Sequence, residues 1–215
     1  MDKVTTIDVA VSRIKDGNSI MIAGFMTVGT PQLLVDALIA SGVKDLTIIC
    51  NDAGTPGTGA GKIVDARIIS KYITNHIGLN PVCGKQMSDG ELDVTLIPQG
   101  TMAERIRAGG AGIGGFLTPT GVGTIVEQGK QVMNIDGKDY LLELPLKADV
   151  ALIKAHRADR SGNLIFRKSA RNFNPLMATA CEYVIVEAEH IEDVGCLDPD
   201  AVMLPGIFID AIVQG

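Results

Sequence analysis

The chain has 215 residues, of which 46% are hydrophobic and only 4% aromatic, and it carries a net charge of −6. This length suits one α/β domain with a substantial core, so we expect residues 1–215 to form a single domain. The negative charge argues against nucleic acid as a partner, and no apolar run approaches the ~18 residues that a membrane span requires.

Short apolar runs alternate with amphipathic segments in the first half of the chain. The predicted elements are a helix over residues 1–16, a buried strand over 19–24, a helix after Pro31, a strand over 45–50 and a loop over 51–62. Thr30 is of the residue type that caps a helix, and proline suits the first helical position. This order, with its short links, predicts a single open, largely parallel sheet with helices on both faces.

The second half continues the alternation. The predicted elements are strands over 69–75, 92–97, 149–155, 163–167 and 183–189, helices over 101–108 and from Asn174, and a hairpin over 131–144 around Asp136-Gly137. Thr101 and Glu104 have the spacing of a capping box. No repeat or linker divides the chain, in agreement with one domain.

The cysteines and histidines indicate whether the chain binds a metal ion and in which cellular compartment it is found. No C-x-x-C pair occurs, and neither His76 nor His156 has a metal-ligand companion in the sequence. Residues 1–16 contain acids and no apolar signal core. We therefore expect no metal site, a cytoplasmic location and four free thiols, at Cys50, Cys83, Cys181 and Cys196.

The densest glycine stretch, residues 109–121, contains the spacing of a dinucleotide-binding turn at Gly110, Gly112 and Gly115. Such a turn follows a strand and begins a helix, whereas these glycines follow a predicted helix. Two interpretations are favoured over nicotinamide binding: the glycines end a helix, or the loop passes close to a ligand or partner. Residues 56–63 lack two positions of a phosphate-binding loop, so ATP hydrolysis is not expected.

Residues 23–31, AGFMTVGTP, join a predicted strand to a predicted helix. The start of a helix offers unpaired N–H groups and a partial positive charge, which bind anions. Gly24 and Gly29 would let the backbone approach a ligand closely. On these residues alone, an anion site and a plain tight turn are both open.

Three stretches, GFMTVGTP, PQGTMAERIRAGGAGIGGFLTPTGVGT and ARNFNPLMATA, together resemble the α subunit of the family I CoA-transferases, of the acetate/butyrate–acetoacetate type. The similarity runs in order over nearly the whole chain. The family's first signature has glycine where this chain has Ala23, and this replacement disfavours a positive φ at that residue.

The resemblance implies an exchange of CoA between an acyl-CoA and acetoacetate or another short-chain carboxylate. In a ping-pong reaction the thioester is attacked by a glutamate of a β subunit, so CoA is a substrate and no cofactor is bound permanently. It also implies a hetero-oligomer of αβ pairs in a tetramer. The residues that the resemblance assigns to CoA binding are Ala23, Gly24, Phe25, Met26, Thr27, Val28 and Gly29.

Two alternatives for the function stay open: the α-type subunit of a succinyl-CoA:3-ketoacid CoA-transferase, and a non-catalytic ligand-sensing α/β domain. The second arises because the family's Ser-Glu-Asn-Gly nucleophile motif is absent from the chain. The nearest stretch ends at Glu91, which we expect to be solvated or structurally bonded. By resemblance, Gln99 in the motif PQGT is a candidate for stabilising an oxyanion; the alternative is a glutamine that hydrogen-bonds a loop.

A basic segment spans residues 154–171, where Asp159 is the single acid. It fits three interpretations: contact with CoA phosphates, contact with an acidic partner surface, or a solvated face paired with distant acids. Its bases are Lys154, Arg157, Arg160, Arg167, Lys168 and Arg171.

Overall fold

The computed structural model describes residues 1–215 without interruption. Six α-helices and eleven strands alternate along the chain. The helices are α1 Ile7–Val11, α2 Gln32–Ala40, α3 Gly61–Ala66, α4 Pro81–Ser88, α5 Gln99–Ala111 and α6 Asn174–Thr179. The strands are β1 Ser19–Ile22, β2 Leu46–Cys50, β3 Ile69–Thr74, β4 Asp93–Leu96, β5 Phe116–Thr118, β6 Val132–Ile135, β7 Lys138–Glu143, β8 Ala148–Asp159, β9 Leu164–Ile165, β10 Cys181–Glu192 and β11 Ala211–Gln214.

The main sheet has eight strands in the order β11-β10-β8-β1-β2-β3-β4, with β9 paired to β8. All the pairs along this order are parallel, and only β9 runs antiparallel to its neighbour. The prediction of an open, largely parallel sheet is confirmed, but the sheet is not single, because a second and smaller sheet is present. Strand β1 is the point where the order reverses, since β2 lies on one side of it and β8 on the other.

Both faces of the central strands of the main sheet are buried, as is typical of a parallel sheet. Along β1, Ile20 and Ile22 belong to a hydrophobic cluster with Leu34 of α2. Met21 faces the opposite side, in a second cluster with Met102 of α5. Side chains alternate across a strand, so one apolar run supplies two cores, and helices pack on both faces as predicted.

A second, three-stranded antiparallel sheet has the order β5-β7-β6. Its β6–β7 hairpin is the one predicted from the sequence, and both residues of its turn have positive φ, at 51° for Asp136 and 79° for Gly137. Such a turn matches the twist of the flanking strands. The third strand, β5, pairs with β7 and was not predicted.

The first predicted helix is wrong over most of its length. Only Ile7–Val11 is helical, after a cap by Thr6, whose side chain accepts from the N–H of Val9. Val4 instead forms a parallel bridge with Ile212 of the edge strand β11. The amphipathic pattern does give one apolar face, with Val11 and Ile14 buried, but the edge strand competes for the backbone hydrogen bonds of the first residues.

Two helices were missed. Helix α3 begins at Gly61, inside the segment predicted as a loop, and α4 occupies residues 81–88, to which no element was assigned. The side chain of Asn80 caps α4 by accepting from the N–H of Cys83 at 3.1 Å, and Pro81 takes the first position. Asn-Pro is a recognisable start signal for a helix, and it could have located α4.

The predicted capping box at Thr101 and Glu104 is wrong. Helix α5 begins two residues earlier, at Gln99, after Pro98. Thr101 therefore lies in its first turn, where it is buried and its hydroxyl has no hydrogen-bond partner. Glu104 instead pairs with Arg107 at 2.8 Å.

The dense glycine stretch begins inside α5, so a dinucleotide-binding turn is excluded by its context. A Cβ on Gly109 would lie 2.3 Å from the carbonyl oxygen of Leu146, and one on Gly110 would lie 2.2 Å from the hydroxyl of Thr179. These two glycines permit close packing of α5. Gly112, at φ 69°, is the one that ends the helix, as one of the two interpretations proposed.

All four cysteines are free, as predicted. Burial, with a smaller contribution from the charge of Asp52, raises the pKa of the Cys50 thiol to about 12. Burial also raises the pKa of Cys181 to about 12. Both thiols are therefore neutral near pH 7 and poor nucleophiles. No helix combines the length and the apolar character needed to cross a membrane.

Candidate active site

The segment after β1 lies where the strand order of the sheet reverses. In open α/β sheets, ligands bind outside the carboxyl ends of the strands at such a reversal. Residues 23–31 leave β1 at this place, and the carboxyl ends of β2, β8 and β10 surround them. The sheet therefore presents the predicted site segment at the position where a ligand is expected.

Residues 25–28 form a tight turn closed by a two-residue bridge. The backbones of Phe25 and Val28 exchange two hydrogen bonds, each of 3.0 Å. Met26 has a φ of 55°, an uncommon value for a residue with a side chain. Its N–H donates at 2.8 Å to the carboxylate of Asp52, which holds this backbone conformation in place.

Gly24 and Gly29 flank the turn, and both are required by packing. Gly24 has a φ of 127°, and a Cβ there would lie 2.0 Å from the hydroxyl of Thr30. Gly29 has a φ of 75°, and its Cβ would lie 2.5 Å from the carbonyl oxygen of Ala170. Ala23 is fully buried and is absent from the residues with positive φ, so alanine fits where the family signature has glycine.

The middle of the turn is the part that reaches solvent. Phe25 is 49% exposed and Val28 is 46% exposed, and Thr27 between them is exposed as well. Of the seven residues that the resemblance assigns to CoA, the side chains of these three and of half-buried Met26 are accessible to a ligand. The other three, among them Ala23, lie buried beneath the turn.

The start of α2 is already occupied by an acid of the chain. The carboxylate of Glu187, a buried residue of β10, accepts from the N–H of Leu33 at 2.8 Å and of Leu34 at 3.3 Å. The hydroxyl of Thr30 does not cap the helix and donates to the carbonyl of Met26, so the predicted cap is wrong. Within the chain, the N–H groups of Thr27, Gly29 and Gln32 stay without a partner.

One cavity joins the turn to Gln99. This glutamine pocket has a volume of about 400 Å³ and lies across the carboxyl ends of β1 to β4. Gln99 is exposed at the first position of α5, where the free N–H groups of the helix add a partial positive charge. The lining residues are Phe25, Met26, Asn51, Asp52, Asn75, His76, Leu79 and Gln99.

A hydrogen-bonded chain of side chains runs along the floor of the glutamine pocket. Gln99 Nε2 donates to Asn51 Oδ1 at 2.6 Å, and Asn75 Nδ2 donates to the same oxygen at 2.8 Å. Asn51 Nδ2 donates to Asp52 Oδ2 at 2.6 Å. Of these four residues only Gln99 was predicted from its motif. Asn51, Asp52 and Asn75 follow β2 and β3 at the carboxyl edge, and this position was a usable signal.

A second cavity, the switch-point cleft, lies on the other side of the turn. Its volume is about 520 Å³, and it opens between β1 and β8, against β10. Thr27, Val28 and Gly29 form one wall. The opposite wall carries Lys154, His156, Glu189 and the segment 166–170. The same turn therefore separates two cavities.

The basic segment divides into paired and unpaired residues. Three of its bases have acid partners within the chain: Lys154 with Glu187 and Glu189, Arg157 with Glu192, and Arg160 with Asp2. No acid of the chain lies within 4.0 Å of Arg167, Lys168 or Arg171. Two of these unpaired cations, Arg167 and Lys168, line the switch-point cleft. The interpretation of the segment as a face paired with distant acids therefore holds for three of its six bases.

His156 has neighbours that the sequence did not indicate. Its Nδ1 lies 2.7 Å from a carboxylate oxygen of Glu189, and this hydrogen bond is the main cause that lowers the pKa of Glu189. His190 stands edge-on to His156 with 5.2 Å between ring centroids. The atoms of His156, Glu189 and His190 that could bind a metal ion lie within 4.8 Å of one another. Lys154 Nζ, 3.7 Å from Glu189, competes for the same carboxylate.

Glu91 lies away from both cavities. It precedes β4, at the amino edge of the sheet, and pairs with Arg67 at 2.5 Å. Its side chain is bonded on the protein surface, as the sequence analysis expected, and the glutamine pocket has no glutamate in its lining. Asp52 is the one carboxylate there.

The family of the chain follows from comparison with known proteins. The family model described as coenzyme A transferase matches residues 4–215. The chain belongs to the coenzyme A transferase family, and the resemblance seen in its sequence is confirmed. It is a transferase of the α-subunit type, in a family that acts on CoA thioesters.

Curated relatives match over nearly their full lengths. The chain is 53% identical to the alpha subunit of the acetate CoA-transferase of Escherichia coli K12, covering 98% of this chain and 96% of the relative. It is 50% identical to the acetoacetyl-CoA:acetate/butyrate CoA transferase alpha subunit of Clostridium acetobutylicum, with 94% and 93% covered. It is 45% identical to one subunit of a succinyl-CoA:3-ketoacid coenzyme A transferase of Helicobacter pylori, with 100% and 93% covered.

Solved structures share the fold at lower identity. An acyl-CoA transferase of Escherichia coli O157:H7, in a thioester complex with CoA, superposes with a TM-score of 0.89 at 20% identity. The match covers 100% of this chain and 47% of that one, so the chain spans about half of that transferase.

Proposed function

We propose that the chain is the α subunit of a heteromeric CoA-transferase that moves CoA between a short acyl-CoA and acetoacetate or another short-chain carboxylate. The observation that carries the proposal is the glutamine pocket, which brings Gln99 and the Phe25–Met26 turn together across 73 residues of sequence. This pocket lies at the carboxyl edge of the sheet and contains a donor but no glutamate.

Gln99 supplies an oxyanion donor. Its Nε2 carries two hydrogens, of which one is bonded to Asn51, so the second is free to donate into the pocket. Attack of a carboxylate on a thioester places negative charge on the carbonyl oxygen, and a fixed donor stabilises that charge most in the transition state. The partial positive charge at the start of α5 acts in the same direction.

CoA lies along the turn and in the switch-point cleft. The unpartnered N–H groups of Thr27, Gly29 and Gln32 are suitable donors for its polar groups. Arg167 and Lys168, without acids of their own, attract its phosphates. Of the seven residues that the resemblance assigns to CoA binding, the buried ones, such as Ala23, do not offer a side chain to CoA. They act by shaping the backbone of the turn.

The charge in the glutamine pocket favours an acyl group without a second carboxylate. Asp52 is 4% exposed, accepts three N–H donors and has no cation within 4.0 Å. Two negative charges about 8 Å apart repel by roughly 2 kcal/mol at an effective dielectric constant of about 20. Acetyl or butyryl groups avoid this repulsion, whereas a succinyl group does not. Phe25 and Leu79 give the pocket apolar walls.

A β subunit completes the site by supplying the glutamate nucleophile and covering the carboxyl edge. Phe25, Leu79 and Leu96, each about half exposed, give that edge an apolar surface suited to a partner. We further propose αβ pairs assembled as a tetramer, a cytoplasmic location, and CoA as a substrate without a permanently bound cofactor.

Co-expression tests the function. The chain is purified alone and together with a β subunit of the same family, and exchange between acetyl-CoA and acetoacetate is measured. We expect activity only in the complex, with ping-pong kinetics. Full activity of the isolated chain would contradict the division of labour. A stable complex without exchange for any short-chain acid would contradict the proposed substrates.

A further inference from the structure

Asp52 is a buried carboxylate whose three contacts all come from donors. Its Oδ1 accepts from the N–H of Gly54 at 2.9 Å, and its Oδ2 accepts from the N–H of Met26 at 2.8 Å and from Asn51 Nδ2 at 2.6 Å. A carboxylate can only accept, so the end of the Asn51 amide that faces it must be the NH₂ group. This contact fixes the orientation of the Asn51 side chain.

The fixed amide of Asn51 then determines what its neighbours present. With its NH₂ group on Asp52, its oxygen faces Gln99 and Asn75, and both donate to it. Gln99 must therefore turn its own NH₂ group toward Asn51. The second hydrogen of that NH₂ group can then donate into the pocket, and the carboxamide oxygen of Gln99 faces away from Asn51.

We propose that Asn51 and Asp52 are positioning residues that set the orientation of the Gln99 carboxamide, so that a donor rather than an acceptor faces the reacting carbonyl oxygen. This inference rests on the proposed role of Gln99. With Asn51 reversed, its NH₂ group would face the NH₂ groups of Gln99 and Asn75. Gln99 would then turn its oxygen toward Asn51, and the orientation of its free donor would be lost.

The same carboxylate connects Gln99 to the turn. Asp52 Oδ2 holds both Asn51 and the strained backbone of Met26, so one atom ties the oxyanion donor to the segment proposed for CoA. Asn51 and Asp52 are 1% and 4% exposed, which keeps water from competing for these bonds. A buried network of this kind can hold a donor to within a fraction of an ångström.

The experiment is a double-mutant cycle in the assembled enzyme. Gln99→Met removes the donor at similar size, Asn51→Ala removes the amide that orients it, and the double variant contains both changes. Turnover and KM are measured for each, with thermal unfolding to confirm assembly. Asp149→Ala is the matched control, because Asp149 also accepts from several donors but lies at the amino edge of the sheet.

We expect Asn51→Ala to lower kcat about tenfold with little change in KM, since orientation matters most in the transition state. In the Gln99→Met background the same change should alter kcat less than about twofold, because the group that it orients is gone. Asp52→Ala should lower kcat in the same way and should also raise KM for the acyl-CoA, because it releases the Met26 backbone of the turn proposed for CoA. Asp52→Asn should lower kcat less than Asp52→Ala does, since its single oxygen can still accept from Met26 and Asn51 while its NH₂ group faces the N–H of Gly54.

Other outcomes separate the two proposals. If Gln99→Met leaves kcat unchanged, the oxyanion role itself fails. If Gln99→Met is impaired but Asn51→Ala has normal kcat, or if the two losses multiply in the double variant, the positioning role fails while the oxyanion role stands. If Asn51→Ala does not assemble, the cycle is run with Asp52→Ala instead. The kcat of the Asp52→Ala, Gln99→Met double variant is then compared with those of the two single variants in the same way.

Discussion

The two edges of the main sheet carry similar polar groups and use them differently. At the amino edge, Asp149 accepts from the N–H of Ser19 at 2.7 Å, from its hydroxyl at 2.8 Å and from Asn18 at 3.4 Å. At the carboxyl edge, Asp52 also accepts from three donors. The donors to Asp149 lie side by side in sequence and close two adjacent strands. Those to Asp52 come from two separate segments and lead on to Gln99.

The difference follows from the direction of the strands. In a parallel sheet each strand leads into a helix, so the amino ends of helices gather at the carboxyl edge. That edge collects free N–H groups, as at Gln99 and Gln32, and an anionic ligand can be bound there. Helix carboxyl ends gather at the other edge, and its polar groups serve mainly to close the fold.

The largest expected effect is at the carboxyl edge. Gln99→Met should lower kcat of the assembled enzyme by about 10²- to 10³-fold, since one oxyanion donor contributes about 2.7–4 kcal/mol. Its amino-edge counterpart is Glu91→Gln, which removes a surface ion pair with Arg67 and should leave turnover within about twofold. Steady-state kinetics on both variants checks this. If Glu91→Gln assembled normally but lost activity, the proposal that only the carboxyl edge takes part in the reaction would be contradicted.

Next in size is a stability difference between glycines. Gly24→Ala should lower the free energy of unfolding by about 1–3 kcal/mol, because it forces a residue with a Cβ to φ 127° against the hydroxyl of Thr30. Gly17→Ala, at φ 77° in open space near the amino edge, should cost only about 1 kcal/mol. Urea unfolding of the two variants measures the contrast. Equal losses would mean that the crowding around Gly24 relaxes.

The charge of Asp52 should appear as substrate selectivity. Asp52→Asn removes the charge but can keep the bonds to Met26 and Asn51, so kcat/KM for succinyl-CoA should rise about tenfold relative to that for butyryl-CoA. The ratio of the two kcat/KM values reports the effect of the Asp52 charge alone, because a general loss of activity lowers kcat/KM for both substrates. Asp149→Asn, the same change at the other edge, should leave the ratio unchanged. An unaltered ratio in Asp52→Asn would remove the argument against a succinyl substrate.

The smallest effect concerns acid stability at the amino edge. The N–H of Ser19, first among several hydrogen bonds, lowers the pKa of Asp149 in the folded chain below 3.8. A lowered pKa means that the stabilisation is present above pH 3.8 and is lost as the pH falls through the lower, folded-state value. The stability gap between the wild type and Asp149→Asn should therefore be largest near pH 6 and shrink below pH 3.8. A gap independent of pH would show that the charge of Asp149 does not stabilise the fold.

Much of the site was predictable because it follows directly from strand ends. The segment 23–31 and Gln99 each come just after an apolar run, and the resemblance to CoA-transferases assigned both. The network was harder to see, since Asn51, Asn75 and Asp52 are common residue types whose meaning depends on which strands are neighbours. Nothing local in the sequence shows that β2 lies between β1 and β3.

The sequence by itself determined the class of fold, the family and the two segments of the site, because apolar runs, glycine turns and long motifs are local properties. Only the tertiary structure decided that Glu187 occupies the start of α2, that Gly24 and Gly29 are required by packing, and that Asp52 lies between the turn and Gln99. Each of these depends on groups far apart in the chain, and long-range contacts are formed by strand order, which local patterns do not encode.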